Sequence, residues 1–497
     1  MRKRFRRTIQ EEGMKRSQEN LAMLFDFYEM TMANGYFEHG LEDTIGYFDL
    51  FYRENPDQAG FAIFSGLESV IEYLRDLHFD AEDIAFLRSK NIFSDAFLTY
   101  LQNMRFSCDV WSVPDGSVVF PNEPLITVRG PMIQTSLIET MLLLLVNHQS
   151  LIATKASRIV RAAKGRPVME FGSRRAQGPD AATLGARAAY IAGCVGTADT
   201  LSDQRFGVPA LGTMAHSWVQ LFPTEYEAFK AYAETYPKNA TLLVDTYDTL
   251  SSGVPNAIRV FDEVLKPRGI SGGIRLDSGD IAYLSKKARI MLDEAGYTDA
   301  KIVASNALDE YRIEDILAQG AKIDSFGVGE KLITSQSSPV FGGVYKLVGM
   351  EQDGVFEPRI KISENVEKIT TPGFKTFYRL YDKDTKKALA DVITMKEEKI
   401  DDQNPYELFH PVYTWKRTVL ENFVAREMKE RIFADGKLVY DLPSLKERRD
   451  YCAEELDTLW EEYKRFDHPH EYKVDLSLAV WDVKHDLLAR TQQRIRP

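Results

Sequence analysis

The sequence predicts an α/β protein: an irregular, TIM-like α/β barrel over residues 136–350, an N-terminal α+β domain over 20–135, and a C-terminal extension. Three observations carry this. From Pro167 to Val328, short apolar runs alternate with stretches of helical spacing, the texture of parallel βαβ units. Right-handed crossovers wind such units into an open sheet or a barrel, and the number of runs and the span they occupy favour a small, irregular barrel. Before Pro131 the texture differs, with aromatic-rich runs, short helical patterns and Pro/Gly turns.

In chain order, residues 1–19 open with Met1-Arg2-Lys3-Arg4-Phe5-Arg6-Arg7, a basic stretch with no apolar segment behind it. It is not a secretory signal and is expected to be a flexible, solvated tail. Asn20–Phe37 has helical spacing with Gly35 as its stop, and Tyr28 lies on this helix as a core or interface aromatic. Ile45–Tyr52 and Gly60–Phe64 are strands joined through the Asn55-Pro56 turn. Leu67–Leu77, Ala81–Ser89 and Ser94–Leu101 are helices, the last capped by Ser94. Cys108–Val113, Val118–Phe120 and Leu125–Arg129 form a meander, and Pro131–Ala163 is mostly helical.

The alternation then begins. Strands are expected at Pro167–Phe171, Val195–Thr197, Pro209–Met214, Thr241–Val244, Ser271–Leu276, Lys301–Ala304, Ser325–Val328 and Val344–Val348. Helices are expected at Ala181–Gly193, Pro223–Tyr236, Val254–Leu265, Ile281–Glu294 and Asp309–Gln319. Residues 351–425 hold strands in Lys361–Arg379 and Lys387–Thr394, with Thr371-Pro372-Gly373 as a turn. Residues 426–497 are a largely helical extension, in which Leu445–Arg465 presents a charged, solvated face.

At 497 residues the chain can fill two or three domains, and 44% apolar with 27% charged residues is an ordinary soluble composition. A net charge of −12 argues against a nucleic-acid partner. The longest apolar run, Met141–Val146 within Leu137–Val146, is too short to cross a membrane. The three cysteines are far apart, with neither a CxxC nor an HExxH pattern in the chain, which points to a reducing, cytoplasmic setting and no zinc site.

Parallel α/β folds bind ligands where strands end. Here those ends carry Arg174 and Arg175, Asp199, His216 within Gly212–Trp218, Asp245 and Asp248, Arg275 and Asp277, Ser305-Asn306, and Gly327-Val328-Gly329. A single histidine in a loop is as readily structural as functional; the whole set exceeds what solvation requires. Arginines on different strands can grip separate anions. Ser305 and Asn306 open a helix, whose free N–H groups suit phosphate, and Gly327 and Gly329 allow close backbone approach. Asp245 and Asp277 can steady magnesium or a developing positive charge. A phosphorylated, anionic substrate follows.

These stretches resemble the nicotinate phosphoribosyltransferase family. The resemblance rests on Phe25–Met32, Glu170–Gly178, Gly212–Trp218, Asp245–Thr249, Arg275–Asp280, Ser305–Glu310, Phe326–Gly329, Gly343–Leu347 and Lys361–Glu364. It implies an N-terminal open sandwich domain, to which residues 351–425 return. It also implies a homodimer with shared sites, and synthesis of nicotinate mononucleotide from nicotinate and phosphoribosyl pyrophosphate, coupled to ATP hydrolysis in NAD salvage. By the same resemblance His216 is the phosphohistidine and Asp277 belongs to the reaction centre. Phe171 and the partner subunit's Tyr28 sandwich the pyridine ring. Thr213 and Arg275 meet nicotinate with Arg174 close by, and Ser305, Asn306, Gly327 and Gly329 cradle phosphate. Mg2+ would hold the pyrophosphate, on ligands the motifs do not name. Glu330 stands where some relatives carry threonine. Two rival readings are nicotinamide phosphoribosyltransferase, disfavoured by Arg174-Arg175 and Gly212–Trp218, and a catalytically silent nucleotide-binding barrel. A metal-dependent hydrolase would need more histidines than the strand ends supply.

Overall fold

The structure is a computed structural model that describes residues 20–365, 368–413 and 415–495. The basic tail expected over residues 1–19 lies outside them. The chain forms two compact units: a contiguous one, Leu151–Pro339, and a discontinuous one built from the chain before and after it.

The contiguous unit holds six parallel strands: β1 (Val168–Glu170), β2 (Gly196–Thr197), β3 (Thr241–Leu243), β4 (Gly273–Leu276), β5 (Lys301–Ala304) and β6 (Ser325–Val328). They pair in the order β2-β1-β6-β5-β4-β3, every pair parallel. Helices fall between most of them. Ile281–Glu294 shows why: Asp280 caps Tyr283 N at 3.0 Å, and Ile281, Ala282, Ser285, Ala288 and Leu292 form one buried face.

The expected strand Pro209–Met214 shrinks to a single parallel bridge from Ala210 to Thr197, on the free edge of β2. Pro209 has no N–H to give, and Gly212 offers no side chain to pack. With the bridge included, the order is the cyclic order of a barrel. Among the described residues no hydrogen-bonded pairing joins the Ala210 segment to β3, so the sheet is not closed. The expected strand Val344–Val348 is also elsewhere. It is part of Gly343–Gln352, which pairs antiparallel with Ile45–Tyr52 in the other unit.

The discontinuous unit has a seven-stranded antiparallel sheet in which Gly343–Gln352, Ile45–Tyr52, Ile126–Pro131, Asp109–Ser112 and Glu430–Ala434 are successive neighbours. A second, six-stranded sheet includes Ala388–Met395 between Val474–Leu476 and Lys375–Asp382. On one face of Lys375–Asp382, Tyr378 and Leu380 pack with Ala390, Val392, Leu408 and Phe423. The intervening Arg379 is wholly buried on the other face. Its guanidinium binds Asp391 at 2.7 Å, Glu455 at 3.1 Å and the Val118 carbonyl at 2.9 Å. Nearby, buried Lys375 pairs with Asp49 at 2.8 Å, and Lys429 donates to Thr127 Oγ1 at 2.6 Å.

Residues 426–497 hold the helices Leu445–Asp457 and Leu478–Ile495 and also the strands Glu430–Ala434, Lys437–Leu438 and Val474–Leu476. The stretch Met132–Ala162 becomes long and apolar enough, by length and composition, to cross a membrane, although no single apolar run in it is. In the fold 61% of that apolar window is buried, as in the core helix of a globular protein.

Candidate active site

β4 sets the centre of the site. Its side chains alternate, so Ile274 and Leu276 are buried and Arg275 points away from them. Each nitrogen of the Arg275 guanidinium meets a partner near a strand end, and one of the five N–H donors is left for a ligand. Nε donates to Ser305 Oγ at 2.9 Å, Nη1 to Thr213 Oγ1 at 3.0 Å and Nη2 to Asp277 Oδ1 at 2.8 Å. Ser305 donates in turn to Asp277. Burial pushes the Asp277 carboxyl up, but the Ser305 hydrogen bond and the Arg275 guanidinium outweigh it and hold it below the usual carboxylate range.

His216 starts the short helix His216–Leu221. Its Nδ1 lies 3.1 Å from Thr246 Oγ1 and its Nε2 3.7 Å from Asp277 Oδ2, so both ring nitrogens face a partner. The side chain remains 39% exposed, open to a reactant. Asp245, just past β3, accepts from Asp277 N at 2.9 Å and Ser278 Oγ at 2.6 Å through Oδ2. Its Oδ1 is buried with no hydrogen-bond partner among the described residues. Thr213, His216, Asp245, Arg275, Asp277 and Ser305 are thus one connected cluster.

The ends of β1 and β6 form a second part. Phe171 N donates to the Val328 carbonyl at 2.7 Å, and the Phe171 ring lies on Gly327, where a Cβ would come within 2.5 Å of Cδ2. A Cβ on Gly329 would meet the Phe171 carbonyl at 3.2 Å. The Arg275 guanidinium sits 5.9 Å from the Phe171 ring centroid, which links the two parts.

Some expected residues are placed differently. Ser305 and Asn306 do not open a helix. The helix is Glu310–Ala318, capped by Asp309, whose carboxylate takes Arg312 N at 2.7 Å. Asp309 supplies the capping oxygen closer to the helical run, leaving Asn306 in a left-handed turn with φ of 85°. Arg174 and Arg175 stand exposed on the turn Ser173–Arg175. Arg175 Nε lies 3.6 Å from Glu330, so that carboxylate faces a cation. Asp199 caps the helix Thr200–Phe206. Tyr28 belongs to the other unit, on Phe27–Glu38, where it is 47% exposed. Burial and then Glu139 push its phenol up to about 12.

The sequence reading passed over Thr246 and Glu170. Thr246 is one of two threonines in the acidic loop Asp245–Thr249 and carried no distinguishing signal. Glu170 did: it is a carboxylate on the last position of an apolar strand, a place that demands partners.

With this geometry in hand, three family profiles match the chain. These are the nicotinate phosphoribosyltransferase N-terminal domain over residues 23–147, the nicotinate phosphoribosyltransferase (NAPRTase) family over 167–347, and the C-terminal domain over 374–484. The chain is 46% identical to a nicotinate phosphoribosyltransferase of Bacillus subtilis over 477 residues, covering 96% of this chain and 97% of that one. It is 36% identical to one of Dictyostelium discoideum, covering 94% and 88%. The crystal structure of human nicotinic acid phosphoribosyltransferase superposes with a TM-score of 0.82 at 29% identity, over 94% of this chain and 100% of that one.

Proposed function

This chain belongs to the nicotinate phosphoribosyltransferase family, and from that premise we propose that it joins nicotinate to phosphoribosyl pyrophosphate in NAD salvage. The products are nicotinate mononucleotide and pyrophosphate. The observation that carries this reading is the Phe171 ring beside Arg275. A flat apolar face next to a guanidinium suits a pyridine carboxylate, which stacks through its ring and pairs through its anion. Thr213 adds a hydroxyl, and Arg174 strengthens the local positive field. A homodimer in which the partner's Tyr28 closes the sandwich belongs to the same reading. It is supported by the exposure of Leu24, Phe27 and Tyr28 along one stretch. A cytoplasmic setting is supported by the free, buried thiols of Cys108 and Cys452. We read the parallel sheet as an irregular barrel open at the seam beside Ala210.

The pyridine nitrogen has a lone pair, so the reaction needs no general base. It attacks the anomeric carbon while the bond to pyrophosphate breaks, and the electron pair leaves with pyrophosphate. The protein positions the reactants and stabilises charge. Asp277, held ionised by Arg275 and Ser305, suits the positive charge that develops on the ribose and pyridine. Gly327, Gly329, Ser305 and Asn306 line the approach for phosphate groups. Asp245 Oδ1, buried with no partner among the described residues, and the neighbouring Asp277 are a hard oxygen set that fits Mg2+, which favours one or two carboxylates plus phosphate oxygens. Bound there, Mg2+ would neutralise pyrophosphate. ATP transfers its γ-phosphoryl group to a His216 ring nitrogen and leaves as ADP, and water later releases phosphate. The added charge, about −1.5 to −2, lies against Asp277 and so loosens its hold on Arg275.

The test is nucleotide formation from phosphoribosyl pyrophosphate with nicotinate or nicotinamide, with and without ATP, in wild type and His216→Ala. ATP-stimulated product from nicotinate, with the stimulation lost in the variant, is expected. Equal use of nicotinamide would overturn the carboxylate argument, since a site built for an anion discriminates by as much as about 10⁴-fold. No product from either substrate would overturn the function.

A further inference from the structure

We propose that Glu170 is a positioning residue of this reaction: its carboxyl ties the turn after β1 to the end of β2 and thereby fixes the Phe171 ring at the height where nicotinate stacks. The inference rests on the function proposed above.

Glu170 is the last residue of β1 and is wholly buried. Both its oxygens are taken by neutral donors. Oε1 accepts the Gly172 N–H, and Oε2 accepts the Thr197 hydroxyl at 2.6 Å. Thr197 Oγ1 also accepts from Asp199 N at 3.0 Å, and the Glu170 carbonyl accepts from Ala198 N at 2.8 Å. One side chain therefore joins the turn after β1 to Thr197, the last residue of β2, and Thr197 passes the tie on to Asp199. A buried carboxyl is a costly way to fill space; an apolar side chain of similar size would pack there without desolvation. Burial above all pushes the group up, to about 7, against the two hydrogen bonds it accepts.

The geometry leaves the turn no slack. A Cβ on Gly172 would meet the Gly329 carbonyl and the Ile333 side chain, each at 2.6 Å, so Gly172 is seated directly on the β6 turn. Phe171 is held by its N–H to Val328 on one side and by Gly172 on the other. If the Gly172 N–H loses its acceptor, the peptide between Phe171 and Gly172 can rotate, and the ring tilts off Gly327. Arg275, anchored on Ser305, Thr213 and Asp277, stays in place. The ring and the cation then no longer address one ligand together.

The experiment compares Glu170→Gln, Thr197→Val and Thr197→Ser with wild type, measuring kcat and the KM for each substrate separately, with thermal unfolding to confirm folding. The amide NH2 of Glu170→Gln cannot accept, so either the Gly172 N–H or the Thr197 hydroxyl proton loses its acceptor. We expect the nicotinate KM to rise roughly tenfold, equivalent to about 1.4 kcal/mol, in Glu170→Gln and Thr197→Val. Thr197→Ser keeps the hydroxyl and should restore the wild-type value. The KM for phosphoribosyl pyrophosphate should stay within about twofold, by the same conversion of free energy to affinity. Should Glu170→Gln fail to fold, the Thr197 pair carries the same comparison. An unchanged nicotinate KM, or an equal rise for both substrates, overturns the positioning role while leaving the function intact. A wild-type protein that makes no nucleotide overturns the function, and this inference with it.

Discussion

Gly327→Ala isolates the contact on which the proposed nicotinate shelf depends. An alanine Cβ at this position would lie 2.5 Å from Phe171 Cδ2 and 2.6 Å from Cε2, whereas ordinary contact begins near 3.4 Å. The ring must therefore retreat by about 0.9 Å, the difference between 3.4 and 2.5 Å. The backbone cannot absorb this, because β6 is paired with β1 on one side and β5 on the other. Gly327 does not occupy the left-handed region, so alanine tolerates its conformation and the effect is steric alone. Overpacking of this kind costs about 1–3 kcal/mol of stability. A displacement near 1 Å in a substrate-positioning group costs on the order of 10²-fold in rate. Steady-state kinetics should show nicotinate kcat/KM down by roughly that factor, with thermal unfolding lowered by a few degrees. If Gly327→Ala retained wild-type nicotinate kinetics and melting temperature, the ring would not be pinned as described, and the stacking argument would fall.

Arg379→Ala removes the buried cation that pairs with both Asp391 and Glu455, leaving the half-exposed Arg426 on Glu455 alone, and chemical denaturation should show a loss of about 3–5 kcal/mol. Its nicotinate KM, measured well below the melting temperature, should match wild type. Lys429 gives a pH dependence: burial pulls its amine down from 10.5 to about 7, only partly offset by Asp49. Between those values the unfolded chain binds the proton and the folded chain does not. The contribution of Lys429 to stability therefore rises with pH across that window and is lost as pH falls toward about 7. Denaturation curves across it should show unfolding free energy climbing by up to about 1.4 kcal/mol per pH unit, with a flatter slope in Lys429→Met; equal slopes would refute the assignment.

Where periodicity was strong, the sequence declared the element. Ile45–Tyr52, Ile281–Glu294, Lys301–Ala304 and Ser325–Val328 stand at the expected bounds. The misassigned Val344–Val348 shows the limit, since an apolar run announces a strand but not its partner, and the partner here is 304 residues away for Tyr47 and Glu351. Pro209–Met214 shows another: apolar character without N–H donors does not make a ladder. In the site, residue types at strand ends were legible: the structure joins Thr213, Arg275, Asp277 and Ser305 by hydrogen bonds and brings His216 Nε2 to 3.7 Å from Asp277. What could not be read was whose oxygen faces whose nitrogen. Asp309 rather than Ser305 caps the following helix, and Glu330 turns to Arg175. Such choices depend on side chains competing in three dimensions, which no spacing rule encodes.

The pairing of Ile45–Tyr52 with Gly343–Gln352 has a consequence for how the chain is made. The first of these strands leaves the ribosome long before the second. At about 5–20 residues per second, the 304 residues between Tyr47 and Glu351 take roughly 15–60 s to synthesise. Through that interval an aromatic-rich strand waits with one edge unfilled, and an open edge invites pairing with other chains. The contiguous unit, Leu151–Pro339, is complete before the missing strand appears. The part that carries His216 can therefore close early in synthesis, and the discontinuous sheet is finished last, when the C-terminal third of the chain arrives.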